Sequence, residues 1–231
     1  MALLENELSA ASRAAISGVV LLHGIARTPR GFRRMQDALE TSGFATLNLG
    51  YESRSLPLEA LAEAIHPSIT RFAEQVEGPI HFVAHSMGGL LTRVYLARYR
   101  PSRLGRVVML GTPNQGSEIA DLLKNLTLYR AYFGPAGQQL TTARHQAQKA
   151  RLPSVDYPVG VIAGNRSVYP VSSAFVLPRP NDGRVSVENT KLEGMTDHLV
   201  IGASHPWLTR KPIAIKQTIA FLRHGRFCAE A

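Results

Sequence analysis

One cysteine, Cys228, stands in a chain of 231 residues, near the C-terminal end of the sequence. A lone thiol excludes an intramolecular disulfide and any cysteine-rich metal site. Acidic residues are also scarce: Asp plus Glu number 17 against 26 Lys plus Arg, which leaves a net charge of +9. Such an excess can attract nucleic acid or an anionic membrane. Here the basic residues are dispersed, with no dense basic run and no nucleic-acid-binding signature. The expectation is a mixed, solvated basic surface, no nucleic-acid partner, and at most peripheral contact with an anionic membrane.

Long apolar runs are missing as well. The opening stretch MALLENELSAASRAAISG carries Glu5 and Glu7 early, and it lacks both the apolar core of a signal peptide and the length of a membrane span. A cytoplasmic protein is expected. No phosphate-binding loop or dinucleotide fingerprint occurs, and His81 and His85 have no Cys or carboxylate companions at metal-ligand spacing. The expected chemistry therefore uses no cofactor and no metal. No repeat, low-complexity tract or linker divides the chain. Residues 1–17 are expected to be an N-terminal extension and 18–231 one domain large enough to bury a sizeable core.

What is present is alternation. Gly18 to His23 is a short apolar run without charge on either face, the pattern of a buried strand. Residues 29–41 then show helical spacing through Phe32, Met35 and Leu39, and 44–49 return to strand character. Leu58, Leu61, Ile65, Ile69 and Phe72 mark a helix over 57–76. A strand at 79–84, a helix at 90–98 and a strand at 106–110 follow. Further strands are predicted at 158–163 and 198–201, with a final helix through Ile215, Ile219 and Leu222. Apolar strands alternating with helices imply an α/β fold: a mostly parallel sheet of about six strands, covered by helices on both faces. The section 117–154 is either a partial lid over a site or ordinary scaffold helix; its residues leave both open.

Between the third strand and its helix lies Ala84-His85-Ser86-Met87-Gly88-Gly89. A serine there is forced into a sharp turn that lifts its hydroxyl above the sheet. Small residues two before and two after it let the strand and helix backbones approach. Gly88 meets the second demand, and Ala84 is the mildest departure from glycine at the first. Ser86 could also be an ordinary helix N-cap. Three further stretches bear on the choice: His23-Gly24-Ile25, Gly111-Thr-Pro-Asn-Gln-Gly-Ser117, and Asn181-Asp-Gly183 followed by a late histidine.

Together these four stretches resemble, in their order along residues 18 to 205, the lipase and esterase branch of the α/β-hydrolases. The Ala-x-Ser-x-Gly form resembles that of small bacterial lipases. The resemblance implies the α/β-hydrolase fold, with ester or thioester hydrolysis as its usual activity and Ser86 as nucleophile. Acyl transfer builds charge on a carbonyl oxygen, so two backbone donors are needed. The amide of Met87, directly after the serine, is one candidate; similarity to lipases with the same His-Gly-Ile string implies the Ile25 amide as the other.

The serine needs a base, and histidine has the suitable pKa. His205 follows the last strand at its carboxyl end, where functional residues of parallel sheets gather, and is preferred to His198, which opens that strand. His81 and His85 are expected to be structural, His23 a framework residue, and His66, His145 and His224 to lie on surface helices or loops. The acid that holds the imidazole should fall between the fifth strand and the histidine. Asp182 meets that order, although Asn-Asp-Gly is turn chemistry in any case; Glu188 and Asp197 are reserves, and Asp156 precedes the strand. The expected function is cleavage of carboxylic esters, of a small molecule or lipid, with Ile25, Met87 and the 117–154 section favouring an acyl chain. An acyltransferase or thioesterase using the same site, or a catalytically silent membrane-associated binding protein on this scaffold, are the alternatives.

Overall fold

Side chains alternate along a strand, and here the alternation sorts the core into two halves. The computed structural model describes residues 15–117, 134–137, 139, 155–168 and 177–228. The strands are β1 (Gly18–Leu22), β2 (Ala45–Leu49), β3 (Ile80–His85), β4 (Leu104–Leu110), β5 (Val159–Gly164) and β6 (Asp197–Ile201). Val20 and Leu22 of β1, Phe82 of β3 and Met109 of β4 point to one face; Val19, Leu21, Val83 and Val108 point to the other. Helices cover both faces of the sheet, and the inner strands β1 and β5 are apolar and buried throughout, whereas the edge strands β2 and β6 carry polar residues and are partly exposed.

Two helices cover each face. On the first lie α2 (Leu58–Gln75) and α3 (Met87–Tyr99), which contribute Leu61, Ile65, Ile69, Leu91 and Val94 to the core. On the second lie α1 (Arg33–Thr41) and α5 (Pro212–His224), which contribute Met35, Leu39, Phe221 and Leu222. A four-residue helix, α4 (Val187–Thr190), precedes β6. Burying one such Leu or Ile is worth about 1.5–3 kcal/mol.

The sheet is parallel throughout, in the order β2-β1-β3-β4-β5-β6. The chain runs outward from β1 to β2, then restarts at β3 on the opposite side of β1. Strand order therefore reverses between β1 and β3, and the loops leaving their carboxyl ends diverge to form a crevice. His23-Gly24 leaves one of these ends and Ser86 the other.

The elements agree with those expected from spacing, within a few residues. One boundary moved with consequence: α3 begins at Met87, not near Leu90. Two successive glycines are poor helix formers, but α3 is buried along ten consecutive residues from Met87 to Leu96, so tertiary packing overrides local propensity. Of the section 117–154, only Ser117, residues 134–137 and Gln139 are described; the choice between partial lid and scaffold helix otherwise falls outside the described residues. Gln139 accepts the Leu58 amide at 2.7 Å and so caps the start of α2. Among the described residues no helix is long and apolar enough to cross a membrane.

Candidate active site

The turn at Ser86 follows from how closely α3 passes the end of β1. A Cβ built on Gly88 would stand 2.2 Å from the Leu22 carbonyl oxygen and 2.7 Å from that of His23. Only glycine permits that approach. Ala84, registered between Leu22 and Met109, is fully buried and fits as alanine. Ser86 itself has φ 54 and ψ −125. This is a conformation that residues with a Cβ rarely adopt, and it persists only where the surroundings impose it. It sets the hydroxyl above the sheet and starts α3 at the next residue, whose free amides and positive dipole end face the same space.

Three side chains from separate loops meet there. His205 Nε2 lies 2.9 Å from Ser86 Oγ. His205 Nδ1 lies 2.7 Å from Asp182 Oδ2. Asp182 is fully buried; its other oxygen, Oδ1, accepts the amides of Arg184 at 2.9 Å and Val185 at 2.8 Å. The backbone just after the Asn181-Asp-Gly183 turn thus supplies the donors that solvate the carboxylate in place of water. A backbone bond from His205 N to Asp182 O, 3.0 Å, ties the two loops together. Gly111 lies beneath the pair. Its φ is +57, and a Cβ there would stand 3.1 Å from Asp182 Oδ2 and 3.2 Å from His205 Nδ1. The Gly111-Thr-Pro stretch singled out in the sequence therefore touches the site.

The competing acids are engaged elsewhere. Glu188 is exposed and pairs with Lys191 at 2.7 Å, Asp197 accepts the Phe227 amide at 2.8 Å, and Asp156 is paired with Arg100 on the surface. His198 lies near the amino end of β6 and meets the Thr190 hydroxyl at 3.0 Å. His81, with the Arg106 amide at 2.8 Å, is structural as expected; burial, then the nearby Arg106 charge, lowers its pKa to about 4. His224 is exposed, His66 is half-buried against the Tyr99 ring at 4.1 Å, and His145 lies outside the described residues.

Ile25 and Met87 flank the serine, but their side chains do not form an open acyl-binding wall as expected. Both belong to the buried core on the α2 and α3 side. The elbow turns Met87 at once into a helix whose first turn packs inward, so its side chain is buried. In the Ile25 loop the following amides are engaged: Ala26 donates to Ser53 Oγ at 3.1 Å and Arg27 to Gly24 O at 3.2 Å. Among the described residues no acceptor meets the amides of Ile25 or Met87.

Sequence reasoning missed three groups that shape the site. Tyr51 stacks on His23, with ring centroids 4.1 Å apart, and donates its hydroxyl to the His23 carbonyl; burial raises its pKa. Ser53 holds Ala26, which sits at φ 54. Both follow β2, whose carboxyl end opens into the same crevice, and that position is the one signal that could have found them. His85 was expected to be purely structural. Its Nε2 donates to the His205 carbonyl at 3.0 Å and the two rings lie 4.8 Å apart. Burial, then the adjacent His205, depresses its pKa well below the ordinary range, so the ring is neutral. A cleft of about 370 Å³ opens beside these residues, with His23, Gly24 and His85 at its inner end and Arg27, Trp207 and Arg210 toward solvent.

This arrangement of sheet, elbow and converging loops has known counterparts. The family model for the alpha/beta hydrolase fold matches residues 19–147, and the chain belongs to that family. A curated relative, the lysosomal thioesterase PPT2 of Mus musculus, is 25% identical over 156 residues, which are 62% of this chain and 52% of that protein. The chain thus spans about half the length of this relative. Among solved structures, the mature lipase BlEst2 of Bacillus licheniformis superposes with a TM-score of 0.71 at 18% identity, covering 92% of this chain and 93% of that one. The metagenomic carboxyl esterase MGS0156 gives a TM-score of 0.70 at 22% identity, over 84% of this chain and 65% of that one. At these identities the likeness to solved structures is one of fold.

Proposed function

We propose that the protein is a serine hydrolase that cleaves carboxylic esters, with Ser86 as nucleophile, His205 as base and Asp182 as the acid that orients it. The observation that carries this reading is the hydrogen-bonded chain Asp182 Oδ2–His205 Nδ1 at 2.7 Å and His205 Nε2–Ser86 Oγ at 2.9 Å. Asp182 accepts from Nδ1–H, which leaves Nε2 with a lone pair directed at the hydroxyl. As Ser86 Oγ bonds to the carbonyl carbon, its proton passes to Nε2. The carbonyl oxygen becomes an oxyanion and accepts the amides of Met87 and Ile25.

Collapse of the tetrahedral intermediate breaks the bond to the leaving oxygen, which takes the proton from His205 Nε2. Water then gives a proton to the same nitrogen while its oxygen attacks the acyl carbon. The second collapse releases the acid and returns the proton to Ser86 Oγ. A thioester leaves by the same steps through sulfur, and the thioesterase relative favours keeping that substrate as a second reading.

Fluorophosphonate labelling and hydrolysis of p-nitrophenyl esters test the proposal, with acyl thioesters and a competing alcohol as parallel acceptors and substrates. Covalent labelling is expected in the native protein and absent in Ser86→Ala, with turnover down by about 10⁴-fold or more. Equal turnover in both proteins, or a label on another residue, refutes it. Transfer to the alcohol in place of release of acid would identify an acyltransferase.

A further inference from the structure

We propose that the cleft beside Ser86 binds the leaving group of the substrate and selects one that carries an anionic phosphate or carboxylate, held by Arg27 and Arg210. The proposal rests on the reading of Ser86 and His205 given above. It begins with position. Gly24 and His85 form the inner end of the cleft, and a Cβ on Gly24 would stand 3.1 Å from the Cβ of Ser86. Pro206, Trp207, Thr209 and Arg210, from the segment that directly follows His205, line the cleft as well. His205 Nε2 must hand its proton to the leaving atom, so that atom lies beside the imidazole, and the residue after His205, Pro206, already lines the cleft.

Among the described residues no acidic side chain lines the cleft, whereas Arg27 and Arg210 do, both exposed. Among the described residues neither guanidinium pairs with a carboxylate. Arg210 lies over the Trp207 ring, 5.8 Å from its centroid, which holds it against the cleft wall. The charges of Arg27 and Arg184 both reach the His85 imidazole. Burial lowers the pKa of His23 and His85 at the inner end, so the cleft's positive charge lies with the arginines. An arginine fork matches the paired oxygens of phosphate or carboxylate. Trp207 and Val168, 49% and 55% exposed, give the same cleft an apolar edge for the body of the leaving group.

The test compares three acetate esters that share a phenolic leaving group: 4-acetoxyphenyl phosphate, 4-acetoxybenzoate and the neutral methyl 4-acetoxybenzoate. For each, kcat/KM is measured in the native protein and in the Arg27→Gln/Arg210→Gln double variant. The ratio of an anionic to the neutral ester cancels intrinsic reactivity when compared between proteins. It is expected to fall about tenfold or more in the double variant, mainly through KM, as loss of a charge-assisted contact predicts. High salt should reduce the native ratio in the same direction. A fall for the phosphate alone or the carboxylate alone identifies the group selected. A ratio that is the same in both proteins, for both anions, overturns the proposal.

Calorimetric binding of phenyl phosphate, benzoate and methyl benzoate to Ser86→Ala separates this from the catalytic reading. Preference for an anion there, lost with both arginines, upholds the cleft assignment even if the native protein proves inert. Hydrolysis of the neutral ester with no anion preference in either assay overturns the cleft and leaves the catalytic reading intact.

Discussion

Asp182→Asn is the substitution whose consequence the geometry works out most fully. The native carboxylate uses its two oxygens differently: Oδ1 accepts two backbone amides, from Arg184 and Val185, and Oδ2 accepts His205 Nδ1–H. An asparagine has one oxygen and one NH₂. Turning the oxygen toward Arg184 and Val185 satisfies both amides and keeps the turn intact. The NH₂ then faces His205 Nδ1, which must become an acceptor, and the ring proton moves to Nε2. That nitrogen now donates toward Ser86 Oγ and cannot take its proton. The opposite rotamer keeps the tautomer but sets NH₂ against two buried N–H groups, at about 1–3 kcal/mol for each group left unsatisfied, so the inactive arrangement prevails. In a serine protease triad the equivalent change costs about 10⁴ in kcat, which corresponds to about 5.5 kcal/mol of barrier. The assay is steady-state hydrolysis of a p-nitrophenyl ester beside a thermal melt. Turnover should drop about 10³ to 10⁴-fold while the folded protein still melts cooperatively. Turnover within about tenfold of native would refute the tautomer argument, because a donor and an acceptor at Nδ1 would then be equivalent.

Gly88→Ala should destabilise the fold, because its Cβ would meet the Leu22 carbonyl oxygen at 2.2 Å and backbone cannot yield as a side chain would. A loss of about 1–3 kcal/mol or more is expected from urea midpoints, and an unchanged midpoint would mean α3 can shift freely. His85→Leu removes the donor to the His205 carbonyl; kcat should fall more than KM rises, with about 1–3 kcal/mol of stability lost, and an unaltered kcat would exclude a positioning role. Stability should also decline on acidification. The folded pKa of His81 is depressed to about 4 from 6.5, so its contribution is fully present above 6.5. Between those values the unfolded chain binds more protons, and the contribution is lost as pH falls toward 4. His23, His85 and His198 shift in the same direction. Urea midpoints over that window should fall less in His81→Asn, which retains an acceptor for the Arg106 amide, than in the native protein.

Much of the fold was legible because strand and helix periods are local. Gly18 to Leu22 has to be buried on both faces whatever surrounds it, and Leu61, Ile65 and Ile69 align on one side of any helix. The serine elbow was legible for a related reason: small residues around Ser86 matter only where a strand and a helix nearly touch. Contacts that depend on the third dimension were not legible. Nothing in His85 or Tyr51 as residue types announces that one braces the His205 carbonyl, 120 positions away, or that the other stacks on His23. Nor could chain order show that the Ile25 and Met87 side chains turn into the core.

The sequence by itself determined the order of the elements, the parallel sheet, the position of Ser86 on its turn, and a short list of histidines and acids in the right order along the chain. These follow from periodicity and close approach, which neighbouring residues enforce. Only the tertiary structure decided which members of that list meet. Asp182, not Glu188 or Asp197, reaches His205, because its turn also supplies the two amides that let a carboxylate lie buried there. Arg27 and Arg210, more than 180 residues apart, face one cleft because β1 ends beside the loop that follows β6 in space. Hydrogen bonds and charges act over a few ångströms, and which residues come within that range is set by the folded sheet.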